Sequence, residues 1–367
     1  MTERTQHTSS NPRLVSPLSA TLGFSQVIDD IAATAAERER DHRLPHEEIA
    51  KLKALGFGAL RLPSDAGGHG VSLRELFIVA RDIAAADSNI AHAFRNHLWQ
   101  VEAALKRREH PFHARVLELT AQKKTIGLGF VESDVTAAGA RPTKVLTRLE
   151  WDASRDVYVG SGEKPYATGN LYNDAFTGVA VESRAGRTVQ YVLERGAGVS
   201  NDDDWQGFGQ RLTGSGTARF HDVTVPPAHV YPADPPKSDE AAPWGFTFHQ
   251  VYLTNCIAGI ARRVALDGAG VLRARGRNFY HGEAAHPTDE PVLHALLGRI
   301  RAYAASVEAI DWARSCRRGS GAVAAGATRL ASGARRRDSD GRPQGPSGHG
   351  LVPDLSGWFR HVRPHRT

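Results

Sequence analysis

Two groups of side chains in this 367-residue chain have types and spacing suited to chemistry. Asn96 and His97 follow His92 by four and five residues, which puts all three roughly on one side of a helix. A histidine there titrates near neutral pH and suits proton transfer or orientation of a reacting group, while a purely structural histidine is the other reading. A third ligand of the HxxxH-plus-carboxylate kind is not seen, so a metal site is not expected. The second group is Trp205–Thr217, where Gly207, Gly209, Gly214 and Gly216 surround Thr213, Ser215 and Thr217. Glycines let a backbone approach a ligand closely, and the hydroxyls can hydrogen-bond it. A tight connection between two strands is the alternative.

The elements that must position these groups fall into three blocks. Apolar residues at helical spacing begin with Val27, Ile28 and Ile31, with Ser25 placed to cap. A second helix starts near Pro45 and ends at Gly56. Ser72 and Glu75 stand at capping-box spacing and open a third, and a single further helix is expected from Asn89 to about Arg108. The pattern changes at Thr125. Segments 126–131, 144–151, 157–160, 175–181, 188–193 and 217–225 are short and β-rich, with one extra residue near Asp222 that suggests a bulge. They predict an antiparallel barrel or sandwich. After a proline-rich linker, helix returns near Trp244. It carries a broad apolar face of Val251, Ile257, Ile260, Ala261, Val264, Ala265 and Val271, and a second helix follows from Pro291 to about Arg314. The order predicts an α+β fold: disordered residues 1–17, an N-terminal helical domain over 18–121, a β-domain over 122–235 and a partial C-terminal helical domain over 244–314.

Composition narrows the function classes. Cys256 and Cys316 are too few for a disulfide framework. No apolar run is long enough to cross a membrane and the N-terminus lacks a signal-peptide segment, so a soluble cytoplasmic protein is expected. Residues 315–367 contain ten of the 46 basic and three of the 40 acidic side chains, leaving 36 basic and 37 acidic residues in the body. A body near neutrality gives no support for nucleic-acid binding. The last 53 residues hold nine Gly and four Pro without hydrophobic period. They read either as a basic disordered tail or as sequence out of frame after about residue 314.

The chain resembles the acyl-CoA dehydrogenase superfamily. The resemblance rests on the helix–β–helix order, the loop Pro63-Ser-Asp-Ala-Gly-Gly-His-Gly70, the segment Gly162-Glu-Lys-Pro-Tyr-Ala-Thr-Gly169 and the segment Phe220-His-Asp-Val-Thr-Val-Pro226. It covers roughly residues 20–314. Ala86-Asp-Ser-Asn-Ile-Ala-His92, Lys164-x-Tyr-x-Thr-Gly169, Gly207–Thr217 and Phe246-x-Phe-His-Gln250 are similar to its two-component flavin monooxygenase branch.

The resemblance implies a flavin lying against the β-domain, with the substrate on its other face between helices. It puts Thr168, flanked by Tyr166 and Gly169, beside the flavin N5 edge. Trp205, Ser215 and Thr217 would form part of the cofactor wall, and His92, Asn96 and His97 the catalytic side. The flavin-ring strand would be 127–133, contributing Phe130, Val131 and Ser133. Val131 stands where the family usually has a hydroxyl side chain, so a backbone amide or Ser133 would have to serve. Arg275, then Arg277, would hold the flavin phosphate, though arginines ending a helix are also ordinary dipole partners.

Acyl-CoA dehydrogenases of this superfamily use a glutamate base on the long C-terminal helix or in a later loop. Residues 246–282 contain no Glu and only Asp267 as an acid. The expected activity is therefore oxidation of a small apolar, possibly organosulfur, substrate by O2 and reduced FMN. A separate NAD(P)H flavin reductase is implied as partner, and a homo-oligomer, by family resemblance a homotetramer, is expected. The alternatives are an FAD-dependent acyl-CoA dehydrogenase and a truncated, inactive relic, since the second half of the family's C-terminal bundle is not recognisable.

Overall fold

The computed structural model describes residues 14–130, 145–232 and 244–319. Seven helices come first: α1 (Pro17–Thr21), α2 (Ser25–Asp41), α3 (His46–Ala54), α4 (Leu73–Ala86), α5 (Ser88–Ala93), α6 (Arg95–Leu105) and α7 (Pro111–Ala121). The strands follow: β1 (Ile126–Gly129), β2 (Arg148–Asp152), β3 (Val157–Lys164), β4 (Ala175–Glu182), β5 (Thr188–Glu194), β6 (Val199–Asn201), β7 (Ala218–Val225) and β8 (Val230–Pro232). Two long helices, α8 (Trp244–Ala274) and α9 (Pro291–Gly319), complete the α+β architecture.

Local chemistry accounts for the helix boundaries. Ser72 Oγ accepts the Glu75 amide and Glu75 Oε2 accepts the Ser72 amide at 2.6 Å, a complete capping box at the start of α4. Ser25 does not cap α2: it is the first helical residue, and Phe24 stands at the cap without a side-chain bond. The helix expected from Asn89 to Arg108 is two helices joined through Phe94, which keeps right-handed helical dihedrals. Side chains from both helices still reach neighbouring segments, His92 to Gln210 and Asn96 to the Thr168 carbonyl.

The strands form one eight-stranded sheet in the order β6-β7-β3-β2-β4-β5-β8, with β1 also on β4. Not every pairing is antiparallel: β1 and β2 both run parallel to β4, at different points along it. The extra residue near Asp222 is real, because Gly160 pairs Val223 while Gly162 pairs Phe220, and Asp222 has φ 51°.

The main core joins α2–α6 to the first turns of α8 through Phe248, Val251, Tyr252 and Cys256. Its buried charge is balanced, since Arg38, fully buried, donates to Glu48 Oε1 at 2.9 Å and Asp87 Oδ2 at 2.8 Å. A second core fills one face of the sheet, and Phe112, Val116, Leu119, Ile126 and Ala175 seal α7 against it. The apolar face of α8 departs from expectation: Val251 is buried, but Ile257, Ile260, Val264 and Val271 are 40–71% exposed. Val292, Leu296, Tyr303 and Ile310 on α9 are exposed too. No helix among the described residues is long and apolar enough to cross a membrane. The basic segment after Gly319 lies outside the described residues.

Candidate functional site

The turn Tyr166–Gly169 and the glycine loop meet directly. Ala167 N donates to Gly216 O at 3.0 Å and Gly169 N to Thr213 O at 2.9 Å, which locks the turn onto the loop. Two glycines make this approach possible. A Cβ on Gly169, whose φ is +84°, would sit 2.6 Å from Ala93 O on α5, and one on Gly216 would sit 1.9 Å from Asp202 O. The hydroxyls then line up in a relay: Ser215 Oγ donates to Thr168 Oγ1 at 2.9 Å, and Thr213 Oγ1 has one proton to direct either to Ser215 Oγ at 2.6 Å or to Gln210 O at 2.9 Å.

The helix side is built from α5 and α6. Asn96 Nδ2 donates to the Thr168 carbonyl at 3.0 Å, tying α6 to the turn. His92 Nδ1 lies 2.9 Å from Gln210 Oε1, and Gln210 Nε2 donates to Ser88 Oγ at 2.7 Å. With the amide oriented this way, the proton sits on Nδ1 and the Nε2 lone pair is left bare and buried. Burial, then the nearby Arg95 charge, lowers the His92 pKa to about 4, so the ring is neutral at physiological pH. Trp99 extends the same face, edge-on to Phe130 at 5.9 Å and tilted against His249 of α8 at 5.1 Å. Burial, then Arg95 and His92, holds His249 at about 4 as well.

Several buried polar atoms here have no partner: His92 Nε2, Arg95 Nε, Asn96 Oδ1, Trp99 Nε1 and His249 Nδ1, with both amide atoms of Asn170 and Nδ2 of Asn173 behind the turn. Orphaned buried polar groups are costly, and a concentration of them signals a ligand position. A polar heteroaromatic ring such as a flavin's, carrying both donors and acceptors, fits this set.

The expected site residues divide. Asn96, Thr168, Gly169 and Ser215 make one connected structure with His92, reached through Gln210, and Phe130 stands beside it through Trp99. Trp205 packs edge-on to Tyr166 at 6.2 Å and donates to Gln210 O, so it braces the loop. The Thr217 hydroxyl donates to Asp204 Oδ2 at 2.7 Å and is committed to the loop's own structure. His97 leaves the set. It is fully buried, Nε2 bonds Gly58 O at 3.0 Å, and Nδ1 accepts the Ile126 amide at 3.2 Å. Arg275 Nε donates to Arg277 O, and its guanidinium lies 4.0 Å over the Phe279 ring. Neither arginine contacts the Thr168 cluster among the described residues. Val131 and Ser133 lie outside the described residues.

Arg95, Trp99, Gln210 and His249 were not expected as site residues. The first two had a signal: Arg95, Asn96 and Trp99 follow His92 by three, four and seven residues, one helical face, whereas His97 falls off it. Gln210 and His249 lie within two of the segments that carry the resemblance, but their roles depend on which helix the loop and α8 meet.

The fold is acyl-CoA dehydrogenase-like. Residues 25–107 match the family model for the acyl-CoA dehydrogenase N-terminal domain, so the chain carries that domain. Over 271 residues it is 26% identical to the probable FMNH2-dependent monooxygenase SfnC of Pseudomonas putida, covering 73% of this chain and 66% of that protein. It is 29% identical over 211 residues to dibenzothiophene monooxygenase of Rhodococcus qingshengii, covering 54% and 48%. The chain thus spans about half to two thirds of the length of these relatives. Among solved structures, methanesulfinate monooxygenase MsuC of Pseudomonas fluorescens superposes with a TM-score of 0.68 at 23% identity, covering 84% of this chain and 76% of that one. TdsC of Paenibacillus sp. A11-2, solved with FMN and indole, also gives 0.68 at 23% identity, with 80% and 74% covered. These two likenesses are of fold.

Proposed function

We propose that the chain is a flavin-dependent monooxygenase that oxidises a small, sulfur-containing substrate with O2 and reduced FMN. Its activity would draw on a separate NAD(P)H flavin reductase. The observation that carries this reading is the meeting of the Thr168–Ser215–Thr213 hydroxyl relay with a helix face bearing a neutral histidine whose Nε2 is buried and without a partner. Abstraction of an α-proton from an acyl-CoA would call for a carboxylate base, and residues 246–282, which include most of α8, contain no Glu; oxygen activation calls for none. Curated relatives bearing the names of FMNH2-dependent and dibenzothiophene monooxygenases support it.

Reduced FMN, when bound, supplies the electrons and the position at which O2 is activated. This chain's residues do the rest. Thr168, its hydroxyl oriented by Ser215, bonds the ring edge. Asn96 keeps that turn in place. His92 Nε2 accepts or returns a proton, its tautomer fixed by Gln210. Trp99, Phe130 and His249 wall the site from water, which matters because an oxygenating centre reacts unproductively when wet.

Titration of the purified protein with FMN tests this reading. A saturable change in flavin absorbance is expected with FMN and weaker binding with FAD. With a flavin reductase present, oxygen consumption should depend on an organosulfur compound. Binding of neither flavin would defeat the proposal in favour of an inactive relic. Dye reduction by an acyl-CoA with FAD would favour a dehydrogenase.

The functional form is proposed to be a homo-oligomer, a homotetramer by family resemblance. The exposed apolar rows on α8 and α9 support it. Sedimentation at micromolar concentration should give a mass several times that of one chain, and a monomer would refute it.

A further inference from the structure

Arg95 is the anomaly among the arginines that are buried or partly buried beside it in the helical domains. Arg38 has Glu48 and Asp87, Arg61 has Glu102, and Arg262 has Asp82 and Glu308. Arg95 has no hydrogen bond and no ion pair among the described residues, and its Nε is fully buried. The groups that act on it electrostatically are Tyr252 and Cys256 of α8, neither a carboxylate. The Tyr252 hydroxyl already donates to Ala91 O at 2.9 Å, and burial raises its pKa well above the ordinary phenol value, so it stays neutral.

The surroundings repeat the theme. Arg95 starts α6, one turn beyond His92 and one turn before Trp99, on the face that carries every orphaned atom of the helix side. Its charge reaches both His92 and His249 and helps to keep them neutral. Arg95 is partly buried, and a cation that gives up water without gaining a partner is retained where something pairs with it. What is missing here is an anion.

On the monooxygenase reading above, we infer that the substrate is a small organic oxyanion whose sulfinate, sulfonate or carboxylate head is bound by the Arg95 guanidinium, with the Trp99 and His249 rings beside it. Arginine suits two oxygens of such a head at once. The orphaned Trp99 Nε1 adds a second donor of the right kind. The two histidines, being uncharged, neither repel the anion's partner nor compete with it for the charge. This places the apolar character of the substrate in its remainder, not in its recognised head.

Calorimetric titration with two unreactive probes of similar size tests the assignment without turnover: methanesulfonate, charged, and dimethyl sulfone, neutral. Each is run with and without FMN, on the full-length protein and on R95Q and R95K. The wild type should bind methanesulfonate measurably more tightly than dimethyl sulfone. R95Q should lose about tenfold or more in methanesulfonate affinity, the worth of a charge-assisted bond, and R95K less. Dimethyl sulfone and FMN affinities should stay within about twofold in both variants. The thermal midpoint of R95Q should equal or exceed that of the wild type, because a partly desolvated charge without a partner has been removed.

Equal affinity for the two probes, or methanesulfonate affinity unchanged in R95Q, overturns the inference. A fall in FMN affinity in R95Q assigns Arg95 to the cofactor and overturns it too. A lowered midpoint in R95Q with R95K unaffected makes Arg95 a structural cation and does the same. Anion binding without any oxygen consumption leaves this assignment standing while the monooxygenase reading fails.

Discussion

The variant His92→Ala is expected to lose about 10²–10⁴-fold in turnover, the usual worth of a positioned proton-transfer group, while FMN affinity stays close to that of the wild type. The separation follows from geometry. His92 contacts the loop through Gln210 alone, whereas the ring-edge hydroxyl of Thr168 is oriented by Ser215 and its carbonyl by Asn96. Gln210→Leu should produce a smaller loss, because the imidazole survives but its tautomer is no longer dictated. The pH profile is the sharper check. Burial and Arg95 hold His92 near 4, so the neutral, proton-accepting form persists well below pH 6.5. The acid limb of kcat/KM should therefore lie close to pH 4. A limb at the ordinary histidine value, or turnover untouched in His92→Ala, would remove His92 from the reaction.

The second large effect concerns stability. His97 is completely buried with both nitrogens used: Nε2–H donates to Gly58 O, and the Nδ1 lone pair accepts the Ile126 amide. A proton on Nδ1 would face an N–H donor. Burial is the larger cause and puts the folded pKa at about 4 against an ordinary 6.5. The unfolded chain thus takes up the proton first. The contribution is fully present above pH 6.5 and declines as the pH falls toward 4, by about 3 kcal/mol in total at 1.36 kcal/mol per pH unit. Urea melts at pH 7 and pH 4 check this against His97→Gln, which has nothing to titrate. The stability gap between wild type and variant should narrow on acidification. Parallel curves at the two pH values would show that His97 is not the group responsible.

These two histidines also show what the sequence can and cannot convey. The α+β class and element order are legible because a change from helical to two-residue periodicity is written locally. So is the capping box at Ser72, and so is the extra residue near Asp222. The break at Phe94 is not legible, since its dihedrals stay helical and no Gly or Pro marks it. The parallel placement of β1 and β2 along β4 depends on where distant segments pack, as does the exposure of Ile257, Ile260 and Val264. In the site, His92 and Asn96 belong together by helical phase, and the same phase includes Arg95 and Trp99 while excluding His97. Adjacency of two histidines in sequence was a weaker guide than their angle around the axis. The segments holding Gln210 and His249 stand out in the sequence, but the role of each residue does not, because each is defined by a partner more than a hundred residues away.

That last property has a temporal side. His92 meets Gln210 across 118 residues, Leu212 meets Asn89 across 123, Tyr252 meets Ala91 across 161, and Asn255 meets Phe77 across 178. Closing such loops costs entropy before any contact repays it, so structures held by distant pairs form late and slowly. The helix face of α5 and α6 can exist early, but the pocket exists only once the loop and α8 have both arrived. During refolding, helical signal should recover well before flavin affinity does, and a nascent chain gains a ligand-competent site only after residue 255 has emerged and docked.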